Sequence, residues 1–281
     1  MTGNHKGSWT IIAILVIVVA AGLGVYYYYF HAKPTQEAPI EPPAVQKPPQ
    51  AAEEISPAVP PQKPVGEATQ MVPAELNQSD EPVREWTKTL SPHPQFAEWL
   101  RNKNMIRRIT AAVVNMAEGQ SPKAHLNFLS PPLPFSVVKK EEGLYLDPKS
   151  YNRYNLVAEV FASLDAQGSV RVYKAFYKLF QTAYVDLGYP DRDFQDNVFR
   201  AIKVMLHAPV VEGEIEVEEG IVSYRMVDDH LEDLNEVQKH LIRMGPQNTQ
   251  KIQAKLREMA LALKLPENQL PKTKIYSINP K

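Results

Sequence analysis

A run of 22 uncharged residues near the start of the chain, "WTIIAILVIVVAAGLGVYYYYF" at positions 9–30, constrains the fold more than any other feature. A helix of this length extends about 33 Å, which is enough to cross a hydrocarbon core about 30 Å thick. Trp9 at one end and the tyrosines that precede Phe30 at the other suit the two membrane interfaces. The run therefore predicts one transmembrane helix.

A cleaved secretory signal is the alternative to a retained anchor. Such signals usually carry about 7 to 15 apolar residues before a small-residue cleavage site. Val19-Ala20-Ala21 offers such a site, but the apolar run continues past it to Phe30. We therefore expect residues 9–30 to stay in the mature protein, with residues 1–8 as a cytoplasmic tail. Because Ala20 and Gly24 would let two such helices approach closely, a weak homodimer is an alternative to a lone span.

The segment at 31–82 is predicted to be a proline-rich, acidic linker without a fixed fold. Residues 34–82 contain twelve prolines, eight acidic and two basic residues, and few aromatic side chains. Such a composition buries too little apolar surface to fold and favours extended chain. The linker would hold a folded domain away from the membrane, although a proline-recognising partner could also bind it.

Composition and motifs exclude several classes of function. The chain has no cysteine, so it has no disulfide, thiolate metal site or cysteine nucleophile. Residues 83–281 carry 24 acidic and 27 basic residues, a net charge of +3, which is too small to indicate nucleic-acid binding. No phosphate-binding loop, dinucleotide-binding or serine-elbow motif occurs, and we expect no cofactor and no catalytic residues that sequence can identify.

No metal site is expected either. Asp191, Asp193 and Asp196 have a spacing similar to that of calcium loops, but the glycine and closing glutamate of an EF-hand are missing. A turn followed by a helix that Asp193 caps explains the same residues. The histidines lack metal-ligand spacing and are expected at the surface or at helix ends.

Residues 83–265 are predicted to form a mostly α-helical domain with two small β-hairpins. Helical periodicity, caps and stops mark helices that start near Asn104, Asp147, Ser169, Asp193 and Asn235. "FSVVKKEEGLYL" and "EIEVEEGIVSYRM" each place a Glu-Glu-Gly turn between β-type runs, which predicts a hairpin. Residues 266–281 lack periodicity and are expected to be a flexible tail.

A set of basic, aromatic and amide side chains forms the candidate binding site. Arginine beside tyrosine is typical of protein interfaces, and the helix that begins at Pro246 would present free N–H groups to an anion. The alternative is that the tyrosines pack in the core and Arg243 stabilises the end of its own helix. The candidates are Arg107, which is followed by Arg108, and Tyr151, Arg153, Tyr154, Arg243, Gln247 and Asn248.

Three segments give the chain a resemblance to a known family. "LDPKSYNRY", "LFQTAYVDLGYPDRDFQD" and "HLIRMGPQNTQKIQAKLRE" occur in this order behind a single span and a proline-rich spacer. Over about residues 80–263 the chain resembles the bacterial membrane proteins of domain-of-unknown-function family 3014. The resemblance implies an inner-membrane anchor, a cytoplasmic N-terminus and a periplasmic domain, and it implies no activity or site residue.

Two functions agree with these features. The first is a binding or scaffolding module of the cell envelope, whose partners would be envelope proteins or the cell wall. The second is a periplasmic hydrolase that acts on an envelope substrate through a carboxylate pair. A deep cleft with paired acidic groups would favour the enzyme, and a shallow basic and aromatic surface would favour the binding module.

Overall fold

The computed structural model describes residues 75–221 and 223–278. The predicted span at 9–30 and most of the predicted linker lie outside these residues. Within them, no helix combines the length and apolarity that crossing a bilayer requires. The described residues are mostly helical and contain eleven α-helices: α1 Asp80–Thr87, α2 Pro94–Trp99, α3 Met105–Ala117, α4 Pro148–Asn152, α5 Asn155–Ala162, α6 Ala166–Ala175, α7 Tyr177–Asp186, α8 Phe194–Leu206, α9 Asp229–Glu232, α10 Glu236–Arg243 and α11 Pro246–Ala262.

Six short strands accompany the helices. They are β1 Val137–Lys140, β2 Gly143–Leu146, β3 Val210–Glu212, β4 Glu216–Glu219, β5 Tyr224–Met226 and β6 Ile275–Ser277. The two predicted hairpins are confirmed as the antiparallel pairs β1–β2 and β4–β5. Sequence analysis did not anticipate that β2 also pairs with β4, through Leu144 opposite Val217, so that both hairpins form one four-stranded sheet.

Helix α3 begins where the sequence predicted, but a different residue caps it. Asn104 occupies the cap position in a left-handed conformation, with φ of 58°, and its side chain makes no capping bond. The carboxylate of Asp80 accepts hydrogen bonds from the backbone N–H groups of Asn104 and Met105 at 2.8 and 3.1 Å. The first residue of α1 therefore satisfies free donors at the start of α3.

Two helices that the sequence predicted as continuous are each divided in the structure. The helix that Asp147 caps ends at Asn152, and α5 starts three residues later. The helix predicted from Ser169 starts earlier, at Ala166, and is interrupted at Phe176, whose side chain is fully buried. The break redirects the chain while the aromatic side chains on both sides of it remain in the core.

The buried side chains form three clusters. One is aromatic and joins α1, α3, α7 and α8, with the rings of Phe180 and Phe194 stacked at 5.6 Å. A second lies around α11 and includes Ile252 and Leu256 from the predicted stripe of that helix. The third lies between the four-stranded sheet and helices α9 and α10. Helix α10 contributes to the last two clusters and so connects the helical part of the core to the sheet.

The expected limits of the domain are wrong at both ends. Ser79 is buried and α1 begins at Asp80, so the fold starts before residue 83. Residues 266–278 are not a loose tail, because Leu270 is buried and β6 pairs in parallel with β3. The hydroxyl of Tyr276 also donates a hydrogen bond to Asp228 at 2.6 Å. A three-residue strand is too short to give a periodic signal, and its partner is distant in the sequence.

A close contact joins α4 and α5 to the junction between α10 and α11. Gly245 is buried with φ of 85° and ψ of 162°, a conformation that essentially only glycine adopts. The ring of Tyr151 lies so close that a Cβ at Gly245 would be 2.5 Å from its Cγ. Asn248, which is 2% exposed, has its Nδ2 3.0 Å from the carbonyl oxygen of Tyr151 and 3.0 Å from Oδ1 of Asn155.

We expect Gly245→Ala to lower the free energy of unfolding by about 2 to 5 kcal/mol, because it combines backbone strain with overpacking. Gly188→Ala is the matched control. Gly188 also has a positive φ, of 98°, but no atom lies within 4 Å of an added Cβ. The control should cost only about 1 kcal/mol. Urea unfolding of both variants checks the prediction, and equal losses would show that the contact with Tyr151 is not tight.

Candidate functional site

The structure brings together most of the predicted binding residues, but it does not link Arg107 to them. Among the described residues, Arg107 forms an ion pair with Asp186 at 2.5 Å and donates a hydrogen bond to Asn77. Arg108 donates to the carbonyl oxygen of His125 and to Oδ1 of Asn127, both at 3.0 Å. Arg107 thus joins α3 to its neighbours, and Arg108 fixes the loop that follows α3.

Tyr151 and Asn248 have structural contacts. Tyr151 packs on Gly245, and burial raises the pKa of its hydroxyl. Asn248 is buried between α4 and α11, whereas its neighbour Gln247 is exposed. Tyr151 and Asn248 therefore have a structural role beside the candidate surface. Of Tyr151, Gln247 and Asn248, only Gln247 has an exposed side chain that a partner could contact.

Arg153 lies at the centre of the surface beside the junction between α10 and α11. Its guanidinium donates hydrogen bonds to the carbonyl oxygens of Ser150 at 3.0 Å and Leu133 at 3.1 Å. It also stands over two aromatic rings, 5.5 Å from the centre of Phe135 and 5.1 Å from that of Tyr154. The backbone acceptors fix the orientation of the guanidinium, and the rings provide cation–π contacts.

Arg243 belongs to the same surface as Arg153 but comes from helix α10. It is the last residue of α10, and its Nη2 donates to the carbonyl oxygen of Tyr224 at 3.3 Å. The ring of Tyr224 lies 5.7 Å from that of Phe135, which also contacts Arg153. The two predicted arginines are therefore connected through Phe135 and Tyr224.

His240 completes this surface. It lies on α10 three residues before Arg243, and therefore on the same side of the helix. Its ring meets that of Tyr154 edge to face at 5.5 Å. Within the part of the chain that the structure describes, neither imidazole nitrogen makes a hydrogen bond. We call the surface formed by Lys123, Phe135, Arg153, Tyr154, Tyr224, His240 and Arg243 the basic-aromatic face.

Burial and the charge of the basic-aromatic face together keep His240 neutral. Burial lowers the pKa of His240 from 6.5 to about 4, and the positive charges of Arg243, Lys123 and Arg153 act in the same direction. Glu236 opposes this shift. The imidazole therefore carries no charge at neutral pH, and the three neighbouring cations contribute to this.

No carboxylate of the described residues forms an ion pair with Arg153 or Arg243. Glu232 is close enough for the charge of Arg243 to affect it, but it already binds Lys239 at 3.2 Å. Burial disfavours ionisation of Glu232, yet hydrogen bonds from Met226 and Lys239 together with these positive charges lower its pKa. The arginines of the basic-aromatic face therefore keep positive charge without a carboxylate of their own.

Two cavities lie elsewhere in the described residues. One has a volume of about 340 Å³ and is lined by side chains that include His207, His230 and Tyr276. The other, of about 490 Å³, lies beside the turn of the second hairpin and is lined partly by Glu218 and Glu219. Because these two glutamates are neighbours on β4, they point to opposite faces of the strand. Neither cavity contains a facing pair of carboxylates.

The segment whose aspartates have a calcium-like spacing contains the predicted helix cap, Asp193. Asp193 accepts a hydrogen bond from the backbone N–H of Gln195 at 2.6 Å at the start of α8. The hydroxyl of Tyr177 donates to the same carboxylate oxygen at 2.6 Å, and burial together with this bond raises the pKa of Tyr177 to about 12. These contacts explain Asp193 without a metal ion.

Sequence reasoning missed four members of the basic-aromatic face. For His240 a signal existed, because it lies one helical turn before Arg243 in a segment predicted to be helical. Phe135 and Tyr224 belong to the two predicted hairpins, and their contact depends on the way those hairpins join. Lys123 lies in a loop without a periodic pattern, so no local signal identifies it.

We expect the stability of the full-length chain to fall as pH decreases from about 6.5 to 4 because of His240. The unfolded imidazole takes up a proton near pH 6.5 and the folded one only near pH 4, so the unfolded state binds more protons in this interval. In urea unfolding at several pH values, the fall in the free energy of unfolding between pH 6.5 and 4 should be roughly 1 to 3 kcal/mol smaller for His240→Phe than for the wild type. The control His230→Phe, at an exposed position, should show the same pH dependence as the wild type. Parallel plots of unfolding free energy against pH for the wild type and His240→Phe would contradict the assignment of this dependence to His240.

Comparison with known proteins places the chain in a family. No curated protein and no solved structure matches it. The family described as protein of unknown function (DUF3014) matches residues 105–260. The matched range includes α3 to α10, most of α11 and all seven residues of the basic-aromatic face. This match covers more than half of the chain and agrees with the resemblance of the three sequence segments. The chain belongs to the DUF3014 family.

Proposed function

We propose that this chain is a membrane-anchored binding or scaffolding module of the bacterial cell envelope. In this proposal, residues 9–30 anchor it in the inner membrane, residues 1–8 are cytoplasmic, and the helical domain lies in the periplasm. The length and apolarity of the 22-residue run support the anchor, and the proline-rich composition that follows supports a spacer. The partners would be envelope proteins or the cell wall, and a weak homodimer through the anchor remains a further proposal.

The observation that carries the binding function is the pair Arg153 and Arg243 on the basic-aromatic face. Both guanidiniums are held by backbone carbonyl groups, and neither has a carboxylate partner among the described residues. Three aromatic rings lie between and beside them. Arginine and aromatic side chains contribute most to the binding energy of many protein interfaces. The combination favours a recognition surface.

The alternative function, hydrolysis of an envelope substrate, has less support. It requires an acid and a base, or a nucleophile, that face each other across a cleft. Glu218 and Glu219, at one of the two cavities, are exposed and lie on opposite faces of β4. The available geometry therefore favours the binding module.

We expect the double variant Arg153→Ala/Arg243→Ala to lose capture of the partner by the full-length chain. In bacterial cells treated with a cross-linker, the yield of the main cross-linked species should fall at least about tenfold, as expected when interface arginines are removed. The matched control is Arg171→Ala, because Arg171 is exposed and pairs only with Asp165 among the described residues. Its yield should equal that of the wild type.

Circular dichroism separates recognition from folding. The double variant should keep the helicity of the wild type, since neither arginine belongs to the three clusters of buried side chains. An unchanged cross-linking yield would contradict the proposed function. A loss of helicity would show that the arginines stabilise the fold instead.

A further inference from the structure

The imidazole of His240 is partly buried and makes no hydrogen bond to the described residues. It lies against Tyr154 on one side and shares its helix with Arg243. Among the described residues, its nitrogens are not counted with the buried side-chain atoms that lack a partner, so they are open to solvent. His240 can therefore exchange water for a ligand group that accepts a hydrogen bond.

The two arginines beside His240 have donors to spare. Arg243 uses one of the five N–H donors of a guanidinium, in its bond to the carbonyl oxygen of Tyr224. Arg153 is held more firmly, by Ser150, Leu133 and a longer bond of 3.4 Å to the Tyr154 hydroxyl. Guanidinium groups bind carboxylates through paired N–H donors, so the unused donors match an oxyanion.

The charges that face His240 come from three parts of the fold. Arg243 and Glu236 belong to α10, Arg153 lies between α4 and α5, and Lys123 lies in the loop before β1. These four residues sum to a charge of +2. A proton on His240 is unfavourable in this field, and an anion placed among these groups would remove that penalty. Binding of an anion and binding of a proton would therefore favour each other.

We propose that an acidic peptide segment of a partner places a carboxylate between Arg153 and Arg243, and that His240 takes up one proton from solvent and donates a hydrogen bond to this carboxylate. The carboxylate remains ionised throughout, and no covalent bond changes. This inference rests on the proposed binding function and specifies the ligand chemistry. Affinity then increases as pH decreases.

The surroundings favour a peptide over a free anion. The rings of Phe135, Tyr154 and Tyr224 give the basic-aromatic face an apolar component, and Leu133 beside it is 63% exposed. The two cavities described above are lined by residues other than these arginines, so neither provides an enclosed site for a small ion there. A segment that alternates acidic and apolar side chains can use both the charges and the rings.

The test is isothermal titration calorimetry of the full-length chain in a non-ionic detergent. The probe is a synthetic peptide with blocked ends and alternating glutamate and leucine, and the matched control peptide has glutamine in place of glutamate. Measurements between pH 5.5 and 7.5 keep the probe carboxylates ionised. We expect affinity to rise by up to about tenfold for each unit decrease in pH. Buffers with different ionisation enthalpies should report the uptake of up to one proton for each bound peptide.

The variants assign the proton to His240. His240→Gln should bind the probe at pH 7.5 through the arginines, without proton uptake and with little dependence on pH. His230→Gln is the matched control and should behave as the wild type. If His240→Gln does not fold, the more apolar His240→Phe replaces it, and proton uptake by the wild type is a test in either case.

Several results would overturn the inference. One is binding of the probe to the wild type without proton uptake, and another is equal affinity for the glutamine peptide. Absence of binding, or equal or stronger binding of inorganic phosphate or of vesicles rich in anionic lipid, would exclude an acidic peptide as the preferred ligand. If any of these occurs while capture in cells still requires the two arginines, only the ligand chemistry fails. If capture does not require them, the proposed function fails as well.

Discussion

The contact between Tyr151 and Gly245 is the constraint on which the site depends. Glycine is required at this position because the backbone has φ of 85° and because the tyrosine ring occupies the space of a side chain. The contact brings α4 against the start of α11, and Asn248 reinforces it with hydrogen bonds. Since Arg153 follows Tyr151 by two residues and Arg243 precedes Gly245 by two, the same contact brings both arginines to one surface. Packing in the core thus determines the arrangement of charge outside it.

Repulsion within the basic-aromatic face lowers the stability of the free protein, which favours a role for this face in binding an anionic partner. Three cations lie around a histidine that burial keeps neutral, and Glu232, whose carboxylate is affected by the charge of Arg243, already binds Lys239. An anionic partner would relieve this repulsion. A neutral histidine among cations would also make such binding sensitive to pH. This coupling would distinguish the proposed recognition surface from arginines that only stabilise the ends of helices.

Sequence patterns predicted the helical class, both hairpins and the main caps, because these depend on residues close together in the chain. The cap of α3 by Asp80 and the pairing of β3 with β6 were missed, since each joins distant segments. For the site, the sequence identified Arg153 and Arg243 but could not show that they converge. Asn248 was predicted to be a binding residue and is buried, because its amide joins α4 to α11 rather than facing solvent. The span at 9–30 remains a prediction from composition and length.

The most direct test of the account is whether residues 153 and 243 share one surface in solution. The chain has no cysteine, so Arg153→Cys/Arg243→Cys introduces the only two thiols. A short bifunctional maleimide should join them within one chain under native conditions, with the linked peptides identified by mass spectrometry, and urea should reduce the yield. The contrary result is two thiols that each react with a monofunctional maleimide but form no intramolecular cross-link in the folded chain. That outcome would place the arginines on separate surfaces and remove the basis of the proposed site.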